Sequence, residues 1–122
     1  MAFHNDLGAR GEQIATEYLI RKGFRILERN WRYYKAEIDI IAIDNNELVI
    51  VEVKTRSVHY HADTDDLIGK RKLLQLYEAA DRFVEVRNME QEVRYDLVTV
   101  VIHGETWTIE HIPDAFYPFM SG

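Results

Sequence analysis

Two carboxylates and a lysine set in apolar surroundings are the residues of this chain best suited to chemistry. Asp39 stands in Glu37-Ile38-Asp39-Ile40-Ile41-Ala42-Ile43, and Glu52 and Lys54 stand in Leu48-Val49-Ile50-Val51-Glu52-Val53-Lys54-Thr55. An ionised side chain is costly in such a run, and carboxylates placed together repel unless a cation or a shared proton joins them. Hard oxygen donors suit Mg²⁺ or Mn²⁺. Such an ion held by Asp39 and Glu52 would activate a water and polarise a phosphodiester. Lys54 would orient that water or offset charge growing on the phosphoryl oxygens. A structural salt bridge of Lys54 with Asp39 or Glu52 is the competing reading for each residue taken singly.

The elements around these residues bring them together. Both runs are β-branched and of strand length, and the Asp44-Asn45-Asn46-Glu47 between them is hairpin-turn chemistry. A hairpin sets the start of the first arm beside the end of the second, so Asp39 meets Glu52. Glu52 and Lys54, two apart, share a face. Upstream, Asn5 or Asp6 can cap a helix reaching about Arg21, with Leu7, Ile14, Tyr18 and Leu19 as its apolar stripe and Gly23 as its stop. Glu12 falls at the margin of that stripe, where a site-facing carboxylate and a flanking surface acid fit the spacing equally. Phe24 to Asn30 reads as a strand. Trp31, Tyr33 and Tyr34 then crowd together with Arg32 and Lys35. Aromatic and basic residues interleaved in this way either stack bases and contact phosphates or pack a strand edge with their cationic heads in water.

Arg56 to Asp66 reads as a polar loop carrying His59 and His61, which lack further ligand spacing for a metal site. A second helix is expected from Gly69 to Arg87, with Leu73, Leu76, Tyr77, Ala80, Phe83 and Val84 on its core face and Asn88 ending it. Two strands follow, Val93 to Ile102 and Thr106 to Ile112. Pro113 closes the second, and an aromatic tail runs from Phe116 to Phe119. The order helix, three strands, helix, two strands predicts an α/β fold: one mixed five-stranded sheet with helices on both faces.

At 122 residues, 47% of them hydrophobic, the chain suits one domain spanning 1–122 with a real core. No apolar run approaches the about 20 residues that cross a bilayer. With no cysteine, disulfides and thiolate metal sites are excluded, and a cytoplasmic protein is the plain expectation. A net charge of -6 argues against broad coating of nucleic acid. A local basic surface is still allowed: Arg32, Lys35, Arg56 and the Lys70-Arg71-Lys72 cluster are expected to rim the Asp39–Glu52 site.

As a set, these residues resemble the YraN family of small bacterial proteins, within the PD-(D/E)xK nuclease-like superfamily. They are also similar to the archaeal Holliday-junction resolvases. The resemblance covers nearly the whole chain. It rests on Gly11-Glu12 with Ala15, Ile26-Leu27 with Arg29-Asn30, Glu37-Ile38-Asp39, Glu52-Val53-Lys54-Thr55-Arg56, Lys72 with Leu76, Ala79-Ala80, and Arg94-Tyr95-Asp96-Leu97-Val98. It implies a restriction-endonuclease-like αβββαββ core, with Asp39 and Glu52 as metal ligands and Lys54 and Glu12 completing a catalytic set. Ala36 stands where a glycine is usual, His61-Ala62 where Phe-Gly is, and Leu73 where glutamine is frequent; none of these touches that set.

The expectation is therefore a Mg²⁺- or Mn²⁺-dependent endonuclease or DNA-processing protein. The alternative is a catalytically inactive module of the same fold that binds nucleic acid or protein, and a homodimer suits either. No glycine-rich phosphate loop or nucleophile motif supports a small-molecule enzyme.

Overall fold

A computed structural model describes residues 3–58 and 69–117. The element order is α1 (Phe3–Arg21), β1 (Arg25–Tyr33), β2 (Ala36–Asp44), β3 (Glu47–Ser57), α2 (Lys70–Arg87), β4 (Glu92–His103) and β5 (Thr106–Phe116). The strands form one sheet in the order β1-β2-β3-β4-β5, antiparallel except for the parallel β3–β4 pair. The parallel pair is the step that requires a crossover, and α2 lies within it. The result is the expected α/β architecture with an αβββαββ order.

Each helix covers one face. Ile14, Ala15 and Leu19 of α1 pack on Ile40, Ala42, Val49, Val51, Val98 and Val100. Leu76, Ala79, Ala80 and Phe83 of α2 pack on Ile38, Ile41, Leu48 and Ile50. The central strands β2 and β3 are thus apolar on both sides, which is why their sequences read as continuous runs rather than alternating ones. Gly23, at a φ of 97°, ends α1, and Asn88, at a φ of 53°, ends α2.

Several boundaries differ from the sequence reading. The helix α1 has begun by Phe3, ahead of the Asn5 or Asp6 expected to cap it. Strand β1 continues through Trp31 to Tyr33 because β2 offers it partners as far as Tyr33↔Ala36. Strand β3 takes in Arg56 and Ser57, expected in a loop, because β4 pairs with both. Strand β5 runs through Pro113 to Phe116. As an edge strand it tolerates a residue without an N–H. The expected positions His59, His61 and Ala62, and the end of the aromatic tail, lie outside the described residues.

Gly11 sets how closely α1 sits on β3. A Cβ there would lie 1.9 Å from Thr55 Oγ1, 2.5 Å from its Cγ2 and 2.7 Å from its Cβ. Thr55 is short and β-branched on a paired strand, so it has little room to give. Gly11→Ala should therefore lower stability by about 1–3 kcal/mol through overpacking. Thr55→Ala should recover part of the loss, and urea melts of the four proteins in this cycle would show the coupling. An additive cycle would mean that the two residues do not share the contact.

Candidate functional site

The site forms where β2 parts from β3. Their pairing runs from Asp44↔Glu47 to Ile40↔Val51. At Asp39 the strand also loses its alternation. Ile38 packs on the α2 side and Ile40 on the α1 side, although residues two apart in a regular strand share a face. The facing residue of β1 is Asn30, between the pairs Arg29↔Ile40 and Trp31↔Ile38, and it takes a left-handed φ of 54°. The Asp39 carboxylate then accepts the backbone N–H of Val53 at Oδ2, 2.8 Å away. A side chain thus stands in where a ladder hydrogen bond would be.

Glu52 lies on the α2 side of β3, following Leu48 and Ile50 in alternation, and is 2% exposed. Its Oε2 meets Lys72 Nζ of α2 at 2.8 Å. Its Oε1 is buried with no hydrogen-bond partner among the described residues. Burial first, and then the charge of Glu52, push Asp39 up from the ordinary carboxylate range to about 8; Glu12 adds to the rise, while the Val53 hydrogen bond and Lys72 oppose it. Burial pulls the Lys72 ammonium down, but its hydrogen bond to Glu52 and the charges of Glu52, Asp39 and Glu37 outweigh this, leaving it above its usual value.

Glu12, half-buried on α1, is held by Arg29 Nη2 at 3.2 Å and Asn30 Nδ2 at 3.0 Å. Arg29 also donates to Gln13. Asn30 therefore serves twice: its left-handed backbone faces Asp39, and its amide orients Glu12. Lys54 follows Glu52 by two residues on β3, opposite Thr99 of β4. The ion pair to Glu52 comes from Lys72 of the second helix. The sequence singled out Lys72 as part of a basic cluster and, with Leu76, as part of the family resemblance, but not as a partner of Glu52. Its place four residues before the buried Leu76 was the signal for its position on the inner margin of α2.

A cleft of about 490 Å³ opens beside Asp39, lined also by Lys35, Ala36, Glu37, Arg71, Lys72 and Gln75. Of the expected basic rim, Lys35, Arg71 and Lys72 line it. Arg32 instead pairs with Glu37 at 3.8 Å. Lys70 and Arg56 stand at the start of α2 and late in β3, outside the cleft's described lining. No group of three His, Cys, Asp or Glu side chains among the described residues is arranged to hold a metal ion.

The donor chemistry here is two carboxylates, one with a buried oxygen that has no partner among the described residues. That suits a hard cation completed by water, since Mg²⁺ is commonly held by one or two carboxylates. The molecule is thus an α/β protein with a five-stranded mixed sheet between two helices, carrying a carboxylate pair at a strand parting beside a cationic cleft.

The chain belongs to the uncharacterised protein family UPF0102, whose model matches residues 11–100. It is 44% identical over 119 residues to a UPF0102 protein of Christiangramia forsetii, covering 98% of this chain and 100% of the relative. It is 45% identical, with the same coverage, to UPF0102 protein FP2501 of Flavobacterium psychrophilum. A UPF0102 protein of Parabacteroides distasonis is 40% identical over 96% of this chain and 97% of its own. No helix among the described residues is long and apolar enough to cross a membrane.

Proposed function

We propose that this protein is a metal-dependent phosphodiester hydrolase acting on DNA, built on a PD-(D/E)xK-like core related to the archaeal resolvases. The observation that carries this reading is the Asp39–Glu52 pair, in which one carboxyl is pushed up to about 8 and the other keeps a buried oxygen without a partner among the described residues. A buried carboxylate oxygen without a partner is costly and calls for an explanation, and a strongly shifted carboxyl in a cleft marks a candidate functional site. A divalent cation held by Asp39 and Glu52 would supply Lewis acidity toward the scissile phosphate and lower the pKa of water there.

The chain's own residues would do the rest. Lys54, on the Glu52 side of β3, would offset charge developing on the phosphoryl oxygens. Glu12, fixed by Arg29 and Asn30, would orient the attacking water. Lys72 would hold Glu52 in place. Lys35 and Arg71 would bind flanking phosphates, giving a locally positive surface on a chain of net charge -6.

A second reading is a catalytically inactive binding module of the same fold, which the Lys35, Arg71 and Lys72 lining of the cleft would serve equally. A cleavage screen separates the two, with Mg²⁺ and Mn²⁺ across single-stranded, duplex, flap and four-way substrates, and with Asp39→Asn as the control. Cleavage lost in that variant supports the hydrolase. Salt-sensitive binding without cleavage on any substrate supports the module. In either case Arg71→Ala should weaken binding and reduce the log-log salt slope by about one. An unchanged slope would remove Arg71 from the interface.

A further inference from the structure

Six non-glycine residues among those described have positive φ, and five of them are Asn or Asp, the types that tolerate it. The sixth is Tyr34, at a φ of 55°. It is the first residue of the two-residue turn between β1 and β2, which closes at the pair Tyr33↔Ala36. Glycine, asparagine or aspartate would sit there without strain. The strain is not offset by burial, because Tyr34 is 86% exposed, the most exposed large apolar side chain among the described residues. Trp31 behaves otherwise and packs edge-on against Phe83 at 5.2 Å. Tyr33 lies under Tyr34 with ring centroids 4.6 Å apart. Strain kept at an exposed aromatic points to a use for that ring.

The surroundings indicate what the ring meets. Tyr33 and Tyr34 line a mainly apolar pocket of about 530 Å³ together with Lys35, Ala36, Gln75 and Glu78. Lys35, Ala36 and Gln75 also line the Asp39 cleft, so the two hollows adjoin. Charge divides between them. Arg71 and Lys72 lie on the Asp39 side against Glu37, and Lys35 stands between the two hollows. Glu78, Asp81 and Glu85 lie on the tyrosine side, partly offset by Arg82. A phosphate chain is attracted to the first and repelled by the second. A neutral aromatic ring with hydrogen-bonding edges suits the second, where Gln75 and Glu78 can meet those edges.

We infer that Tyr34 and its pocket hold an unpaired base of a nucleic-acid strand whose phosphate lies in the Asp39 cleft, so that the substrate is a single-stranded or frayed region rather than a continuous duplex. This deepens the hydrolase reading and rests on it for the placement of the phosphate. A base within a duplex is already stacked on both sides and offers no free face to a tyrosine at a turn. Base–aromatic stacking is sequence-tolerant, so the selection is for strand state rather than sequence.

The test is fluorescence anisotropy in EDTA with a labelled 12-nucleotide single strand and the blunt duplex of the same sequence. The wild type should prefer the single strand. Tyr34→Ala should weaken single-strand binding on the order of tenfold and duplex binding by less than twofold, whereas Tyr34→Trp should keep the wild-type preference. Tyr34→Asn serves as the folding control: it suits the left-handed turn, so its melting temperature should equal or exceed that of the wild type while its single-strand affinity falls as in Tyr34→Ala. A single-strand change within twofold, or equal losses on both ligands, would overturn the inference and favour a peptide side chain as the occupant. Binding in EDTA does not depend on cleavage. Tyr34-dependent stacking without any cleavage therefore rejects the hydrolase alone, and cleavage indifferent to Tyr34 rejects this inference alone.

Discussion

Replacing Arg94 with methionine should destabilise the protein by about 3–5 kcal/mol, the usual cost of removing one partner from a buried ion pair. Arg94 donates twice to Asp96, from Nε at 2.9 Å and Nη2 at 3.0 Å. It also reaches Glu47 at 2.8 Å and Asp44 at 3.1 Å, at the tip of the β2–β3 hairpin. Asp96 is 0% exposed. Without Arg94 its partners among the described residues would be only His111 Nε2, at 2.8 Å, and the backbone N–H of Asp114. Burial raises the Asp96 carboxyl, but the hydrogen bonds of His111, Arg94 and Asp114 outweigh it and hold the group below its ordinary value. The contribution of a lowered carboxylate is present above its unfolded pKa and lost as pH falls through the folded one. The deficit of Arg94→Met should therefore be full at pH 7 and shrink below about pH 4, where the stranded carboxylate can take a proton. Urea melts at pH 7 and pH 3.5 would check this. An equal deficit at both would mean that the loss is of packing rather than of charge pairing.

Asp96 and Glu52 are both buried carboxylates, yet they differ in kind. Four hydrogen bonds satisfy Asp96. Among the described residues Glu52 has one ion pair and one bare oxygen. The first pattern ties β4, β5 and the hairpin tip together and needs no ligand. The second leaves capacity for one. Sequence alone could not separate them, because each is an acid in an apolar strand, and satisfaction depends on residues far along the chain. His111, fifteen residues beyond Asp96, carried no signal of its partnership.

What the sequence did show follows from short-range periodicity. The stripes of both helices and the unbroken apolar runs of β2 and β3 forecast two cores on one sheet, and the hairpin turn brought Asp39 toward Glu52. Strand lengths were underestimated wherever pairing overrode composition, as at Arg56, Ser57 and Pro113. The break in alternation at Asp39 was not legible, since it depends on Asn30 across the β1–β2 ladder. The pairing of Glu52 with Lys72 depends on how α2 docks, which no local pattern encodes.

Asp39→Asn should stabilise the protein in the absence of divalent ions, and the gain should grow with pH. In the folded protein the Asp39 carboxyl is pushed up from 3.8 to about 8. The folded state therefore binds a proton that the unfolded state has released, and wild-type stability falls as pH rises between those values. Asparagine keeps an oxygen for the Val53 N–H and never ionises, so the variant lacks that slope. Near pH 4 the two proteins should differ little, and by pH 5 the gap should have opened to about a third of its full size. Near pH 9 the variant should be more stable by about 2–4 kcal/mol, less than the full shift because Asp39 is only half-buried and solvent screens part of the repulsion. A cation at the site should reverse the order. Mg²⁺ or Mn²⁺ should stabilise the wild type, release close to one proton on binding near pH 7, and bind more tightly as pH rises toward 8. The variant should show none of these effects, and any phosphodiester cleavage should fall by at least about a hundredfold. Urea melts at pH 4, pH 5 and pH 9, with and without the ion, together with proton release followed by calorimetry in two buffers, would measure all of this. If both proteins share one pH profile and one response to the ion, Asp39 carries no extra proton and the site assigned here is structural.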